Sequence, residues 1–309
     1  MNRYLAPAAL LPEGWARRVL LEVDTHGCLG RVEPDCPPAQ AEGAEVLAGP
    51  VLPGLANLHS HAFQRALAGL AQRAERRDES FWSWRERMYA LVAHLSPEDI
   101  QTLARRVYIE LLKAGWTAVA EFHYLHRDAK GRAYAEPAEL ALRIAAAAGE
   151  AGIGLTLLPA LYRLGGFGER PVAGAQKRFA LGVDEFLRLL ERVRHTAGRD
   201  GYTAGAAFHS LRAVAAGDLQ AVLAALPRAS VIHIHIAEQR REVEECLAWS
   251  GRRPLDWLYA HAPVDARWCL VHATHADATE LARLAGSHAV AGLCPSTEAD
   301  LGDGLFPAT

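Results

Sequence analysis

A chain of 309 residues, half of them hydrophobic and 22% charged, is long enough for one large core and has the ordinary make-up of a water-soluble domain. Its 33 Lys and Arg against 36 Asp and Glu leave a net charge of −3, which removes the basic footprint a nucleic-acid binder needs. No run of about 18 apolar residues is present to span a membrane, and Leu5–Leu11 is broken by Pro7 and too short for a secretory leader. The five cysteines, Cys28, Cys36, Cys246, Cys269 and Cys294, are dispersed without a C-x-x-C pair. That fits a reducing, cytoplasmic compartment better than a disulfide framework.

Residues 1–50 read as a small β subdomain. Arg18–Val23 is a strand, Asp24–Gly27 a turn, Cys28–Val32 the returning strand and Ala44–Leu47 a third short one. So little apolar surface is expected to pack on the main domain or to be completed by later residues. From 51 to 309 strands and helices alternate. The strands expected are Leu55–His61, Thr117–His123, Gly154–Tyr162, Gly201–Ser210, Ser230–Glu238, Trp268–His275 and Ala289–Ser296. Most are continuous apolar runs, as in strands covered on both faces. Ser96 followed by Pro97 starts a helix that Gly115 stops; further helices are expected at Glu136–Gly149, Val183–Ala197, Gly217–Leu226, Glu238–Ser250 and Asp277–Gly286. This alternation is the α/β pattern of parallel βαβ units and suggests a TIM-type (β/α)8 barrel. Seven strands are present, and Asp303–Pro307 reads as the middle of a loop. The expectation is a barrel truncated after strand 7, with strands 1 and 7 as open edges.

Histidines gather where these strands end. His59 and His61 lie two apart, so a strand turns both to one side and Ser60 away. His123, His209, His235 and His272 fall at the ends of the second, fourth, fifth and sixth strands, which converge on one mouth in a parallel barrel. Zinc catalysis needs three or four such ligands with a position left for water. His59, His61 and one histidine of His233-Ile234-His235 can supply them; the spacing does not choose between His233 and His235. Glu238 follows closely, where a carboxylate can move protons, although an acid there also suits the first turn of a helix.

Several phrases carry a resemblance: His59-Ser60-His61-Ala62-Phe63-Gln64-Arg65-Ala66, Trp82-Ser83-Trp84-Arg85, Glu121–His126, His233–Gln239 and Cys294–Gly304. With them the chain resembles the amidohydrolase superfamily and, within it, the branch of formimidoylglutamate deiminases, which serve histidine degradation. The resemblance implies a metal-dependent hydrolase in which His59, His61 and His235 bind a single zinc, Glu238 shuttles protons and His272 polarises the water or steadies the tetrahedral centre. A fourth ligand, an aspartate ending strand 8, lies beyond the seven strands; Asp300 and Asp303 precede it. No lysine ends strand 4 to bridge a second metal. The substrate implied is a small dicarboxylate, for which arginine offers a bidentate fork. The resemblance assigns Gln64, Arg85, Tyr124, His209 and Arg212 to it. Taken by itself, Arg85 beside Glu86 and Arg87 reads as a solvated helix arginine, Tyr89 as helix packing and His123 as a hydrogen-bonded histidine. The loop Arg163–Phe179 is a candidate cover for the mouth. Two other readings stand beside this one: a zinc aminohydrolase acting on a nucleobase or related heterocycle, and a truncated barrel without activity. No nucleic-acid or membrane partner is expected, and a homodimer is compatible with the sequence.

Overall fold

A computed structural model describes residues 2–25, 27–71 and 81–308. The chain divides into two compact units, Met1–Leu55 and Ala56–Thr309.

The first unit is a four-stranded sheet of β1 (Asn2–Leu11), β2 (Gly14–Val23), β3 (Leu29–Glu33) and β4 (Glu45–Val46), in the order β3-β2-β1-β4. One of its two ten-residue strands, β1, was hidden in the sequence by Pro7. The β1–β2 ladder pairs Ala6 with Val19 and Ala8 with Arg17, and at Pro7 the facing Arg18 takes a left-handed φ of 46°. The irregularity falls where proline has no N–H to give. The expected turn Asp24–Gly27 includes His26, which lies outside the described residues; Gly27 N donates to Asp24 O at 3.1 Å. Ala9, Val19 and Leu21 form a buried apolar cluster here.

The second unit is a nearly closed barrel of seven strands: β5 (Leu55–Ser60), β6 (Trp116–His123), β7 (Gly154–Leu161), β9 (Ala206–Ser210), β10 (Ile232–Ile236), β11 (Trp268–His272) and β12 (Val290–Gly292). A two-residue strand, β8 (Thr203–Ala204), pairs with β7 off this path. The ladders from β6 to β12 are parallel. The interval expected as one strand, Gly201–Ser210, is therefore two pieces joined at Gly205. A Cβ on Gly205 would lie 2.6 Å from both Leu158 Cδ2 and Val231 Cγ2, so only glycine lets the chain pass there.

Nine helices among the described residues follow the strands: α1 (Phe81–Val92), α2 (Pro97–Lys113), α3 (Glu139–Ala151), α4 (Val183–Asp200), α5 (Ala216–Ala225), α6 (Arg240–Ser250), α7 (Pro254–His261), α8 (Ala278–Ser287) and α9 (Pro295–Leu301). The signals at α2 act as read: Ser96 and Asp99 form a reciprocal capping box, and Gly115 takes φ 89° just past the end. Both α7 and α9 escaped the sequence reading because each is too short to show a clear period. Each nonetheless opens on proline, and Gly302 closes α9 at φ 68°. No helix among the described residues is long and apolar enough to cross a membrane.

Candidate metal centre and active site

Strand ends place the chemistry. His59 near the end of β5, His61 just past it and His235 on β10 turn their Nε2 atoms to one point. The separations are 3.0 Å for His59–His61, 3.1 Å for His61–His235 and 3.0 Å for His235–His59. The other ring nitrogens say what these atoms are. His61 Nδ1 faces the Phe122 carbonyl at 2.7 Å, and His235 Nδ1 faces the His209 carbonyl at 2.8 Å. A carbonyl only accepts, so both Nδ1 atoms carry the proton and both Nε2 atoms, in a neutral ring, present bare lone pairs. Burial keeps the rings neutral. It lowers His61 to about 4 and takes His59 and His235 well below the usual histidine range, helped by their mutual proximity. Lone pairs so close together repel unless a cation lies among them. Tetrahedral zinc at 2.0–2.1 Å asks for nitrogens about 3.3 Å apart, a small relaxation from the separations here. The three histidines fit a divalent metal.

Local backbone features explain the convergence. The β9–β10 register shifts between Ile234 and His235, so His235 pairs with Ser210 and His209 is the extra residue. The bulge accompanies the His209 carbonyl's turn toward the imidazole N–H. Phe122 packs against all three rings, at 4.3 Å from His235, 5.3 Å from His59 and 5.2 Å from His61 between centroids. On the far side, buried Glu121 accepts from Ala62 N at 2.6 Å and anchors the turn after His61. Burial lifts Glu121 to about 7. His233, also buried, stands outside the cluster with Nδ1 unpartnered among the described residues, so geometry makes the choice that spacing could not. His123 is buried with both ring nitrogens unpartnered among the described residues, and burial takes it down to about 3; it is not part of the cluster either.

At or just past the ends of β10 and β11 three non-glycine residues take left-handed φ: Ala237 (51°), His272 (71°) and Ala273 (49°). Such residues cost about 1 kcal/mol or more each and gather where the surroundings fix them for a purpose. Buried Glu242 holds the first turn by accepting from Ala237 N at 3.2 Å and Glu238 N at 3.3 Å. Glu238 thus leaves the strand before α6 begins and is buried against His272, whose Nε2 lies 3.5 Å from its Oε1. The helix-first-turn reading of Glu238 is replaced by this inward position. His272 Nδ1 faces Glu298 Oε1 at 3.1 Å, and the same oxygen accepts from Cys294 N at 2.9 Å. Burial alone would lower His272, but the carboxylates of Glu238 and Glu298 outweigh it and raise the ring above its usual range. Cys294 also comes near His59 and His272. Burial and the nearby carboxylates push its thiol up to about 12, so it is protonated at neutral pH and a poor rival to imidazole.

Above the histidines opens a cavity of about 460 Å³. All ten residues singled out from the sequence line it: His59, His61, Gln64, Arg85, Tyr124, His209, Arg212, His235, Glu238 and His272. Gln64 Nε2 donates to the Tyr124 hydroxyl at 2.8 Å. Arg85, on α1, stacks 4.6 Å over Trp82, and Arg212 lies 5.7 Å from the same ring. The Nε atoms of both arginines are buried without a hydrogen-bond partner among the described residues. Arg85 is therefore a cavity residue rather than a solvated one, and Tyr89, expected as packing, also lines the cavity. Burial opposes charge on Arg212, yet Glu242 and Glu238 more than restore it. The loop after β7 contributes Gly165 and Phe179 to the wall.

Sequence reasoning missed Glu298, Glu242, Phe122 and Asp303. Glu298 lay within the phrase Cys294–Gly304 without a role of its own, and Asp303 was passed over together with exposed Asp300. Asp303 is buried beside Glu238 and His272.

The model of the amidohydrolase family matches residues 51–309. A formimidoylglutamate deiminase of Pseudomonas aeruginosa is 59% identical over 309 residues, which are all of this chain and 68% of that protein. A 5-methylthioadenosine/S-adenosylhomocysteine deaminase of Natronomonas pharaonis is 31% identical over 263 residues, 83% of this chain and 53% of its own length. Among solved structures, an amidohydrolase from Brucella melitensis superposes with a TM-score of 0.92 at 47% identity, covering 100% of this chain and 68% of that one.

Proposed function

The chain belongs to the amidohydrolase family of hydrolases, and from that premise we propose that its site deiminates N-formimino-L-glutamate with water, giving N-formyl-L-glutamate and ammonia. The observation that carries this reading is the meeting of three Nε2 lone pairs, 3.0–3.1 Å apart, under a cavity that also holds two arginines.

His59, His61 and His235 would hold one zinc ion. When bound, such a metal acidifies water enough to supply hydroxide near neutral pH. The chain's own residues do the rest. Glu238 takes a proton from the attacking water and hands it to the nitrogen that leaves as ammonia. His272, steadied by Glu298, offers Nε2 to the charge that builds on the carbon's new oxygen. Arg85 and Arg212 each take a carboxylate of the substrate in a bidentate fork. Gln64, Tyr124 and His209 orient the formimino end by hydrogen bonds. The partner is thus a small dicarboxylate, with neither nucleic acid nor membrane involved. A cytoplasmic setting and a place in histidine degradation accord with five free cysteines and with the Pseudomonas relative.

One observation favours a second reading. The cavity is rich in aromatic side chains, including Phe81, Trp84, Tyr89 and Tyr162, which would suit a flat heterocycle. Two arginines whose buried Nε atoms have no hydrogen-bond partner among the described residues favour the dicarboxylate. Ammonia release from N-formimino-L-glutamate, with N-formyl-L-glutamate as co-product, tests the choice. No release, together with turnover of a purine or pyrimidine, overturns it.

A further inference from the structure

Next to the three histidines a second set of ligand atoms converges. One oxygen each of Glu238 and Asp303 and a ring nitrogen of His272 lie within 4.8 Å of one another. All three residues are deeply buried, at 5%, 4% and 3% exposure. His272 is tied through Nδ1 to Glu298 at 3.1 Å, which turns its Nε2 toward Glu238. Asp303 is held by two contacts: its N–H donates to Glu298 O at 2.9 Å, and the Gln239 side-chain amide donates to Oδ1. Its Oδ2 is buried and has no hydrogen-bond partner among the described residues. A buried acceptor left in that state is rare in a folded chain and points to something it receives. The charge balance points the same way. Four buried carboxyl groups, Glu238, Glu242, Glu298 and Asp303, are gathered here, and burial together with the neighbouring Glu238 raises Glu242 and pushes Asp303 up to about 7, a crowding that a cation would relieve.

We propose that Glu238, His272 and Asp303 form a second divalent-cation site, adjacent to the three-histidine centre and distinct from it. Two carboxylate oxygens and one imidazole nitrogen suit zinc or manganese. Ligands at 2.0–2.2 Å from an ion lie within about 4 Å of one another, so small side-chain movements close the set. The site is the weaker of the two, because the ion must displace any proton on His272. Occupation ties up the carboxylate and the Nε2 that the proposed deimination uses. Excess metal therefore suppresses turnover. This consequence rests on the proposed reaction; the site itself does not.

The test is titration of metal-free protein with zinc alone, with bound metal counted by elemental analysis after equilibrium dialysis. Wild-type chain is expected to bind two zinc ions in separate affinity steps. His235→Ala loses the tighter step and keeps the weaker. Asp303→Asn keeps the tighter step and loses the weaker, and so does Glu238→Gln, which decides the matter should Asp303→Asn fail to fold by thermal melting. Saturation of the wild type at one ion, or a weaker step that persists in both carboxylate variants, overturns the proposal. In the ammonia assay the zinc concentration that halves the rate should rise at least tenfold in Asp303→Asn. If N-formimino-L-glutamate is not turned over at all, the functional reading fails while the zinc count still decides the site.

Discussion

Replacing Glu298 by glutamine isolates what its charge does for His272. Glu298 Oε1 accepts from His272 Nδ1 at 3.1 Å and from Cys294 N at 2.9 Å, and both residues of the His272–Glu298 pair are over nine-tenths buried. Glutamine presents an oxygen in the same place, so both hydrogen bonds persist as neutral ones. Charge-assisted bonds are about twice as strong as neutral ones, and bonds to charged groups contribute roughly 1.5–3 kcal/mol, so the change should remove about 1 kcal/mol per bond. If half or more of the combined loss of about 2 kcal/mol is felt in the transition state, kcat/KM falls by about 5- to 30-fold. The pH dependence carries a sign. Glu298 helps raise His272 in the fold, so this part of the stability is fully present below the free histidine value of 6.5 and fades as pH rises through the folded value. His272 in turn lowers Glu298, so the same coupling is present above the free glutamate value of 4.5 and is lost as pH falls through the folded one. Glu298→Gln should therefore be least stable relative to wild type between about pH 4.5 and 6.5, and the alkaline limb of its kcat/KM profile should move to lower pH. Urea melts across pH and ammonia-release kinetics measure both. An unchanged pH profile, with a stability deficit that does not vary with pH, would refute the coupling.

Glu238→Gln should lower kcat by about 10²- to 10⁴-fold while leaving the metal content of the three-histidine centre intact, read from elemental analysis beside kinetics. Arg212→Ala should raise KM for N-formimino-L-glutamate by roughly 10- to 150-fold, the equivalent of one charged contact of 1.5–3 kcal/mol; no effect would favour the heterocycle reading. Glu121, lifted by burial to about 7, gives stability that is full below pH 4.5 and lost as pH rises through 7. Glu121→Gln, which retains an oxygen for Ala62 N, should then gain up to about 3 kcal/mol on wild type between pH 4.5 and 8 in denaturant melts. Equal pH dependence of the two proteins would contradict a neutral buried Glu121.

Much of the site was legible because its logic is short-range. His59 and His61 are two apart on a strand, and alternation alone puts them on one side. The barrel was legible because βαβ repetition writes apolar runs such as Ile232–Ile236 between helical text, and the sheet order then brings the ends of distant strands together. What could not be read is what depends on the fold closing over itself. His233 and His235 are equivalent by spacing, and only the folded sheet shows that it is His235 that meets His59 and His61. Glu298, 26 residues past His272, has no distinguishing feature in the sequence until α9 lays it against that ring. Glu242 and Asp303 bear charge in text that reads as surface and end up buried. The strand β1 was lost for a local reason, since Pro7 is a strand breaker unless its partner strand also departs from the ladder, as it does at Arg18.

X-ray absorption at the zinc edge, on protein loaded with one equivalent of metal, probes the three-histidine centre most directly. The first shell should contain three imidazole nitrogens at about 2.0–2.1 Å and no sulfur. A sulfur scatterer at about 2.3 Å, which would bring in Cys294, or fewer than three imidazoles, would contradict a centre built from His59, His61 and His235.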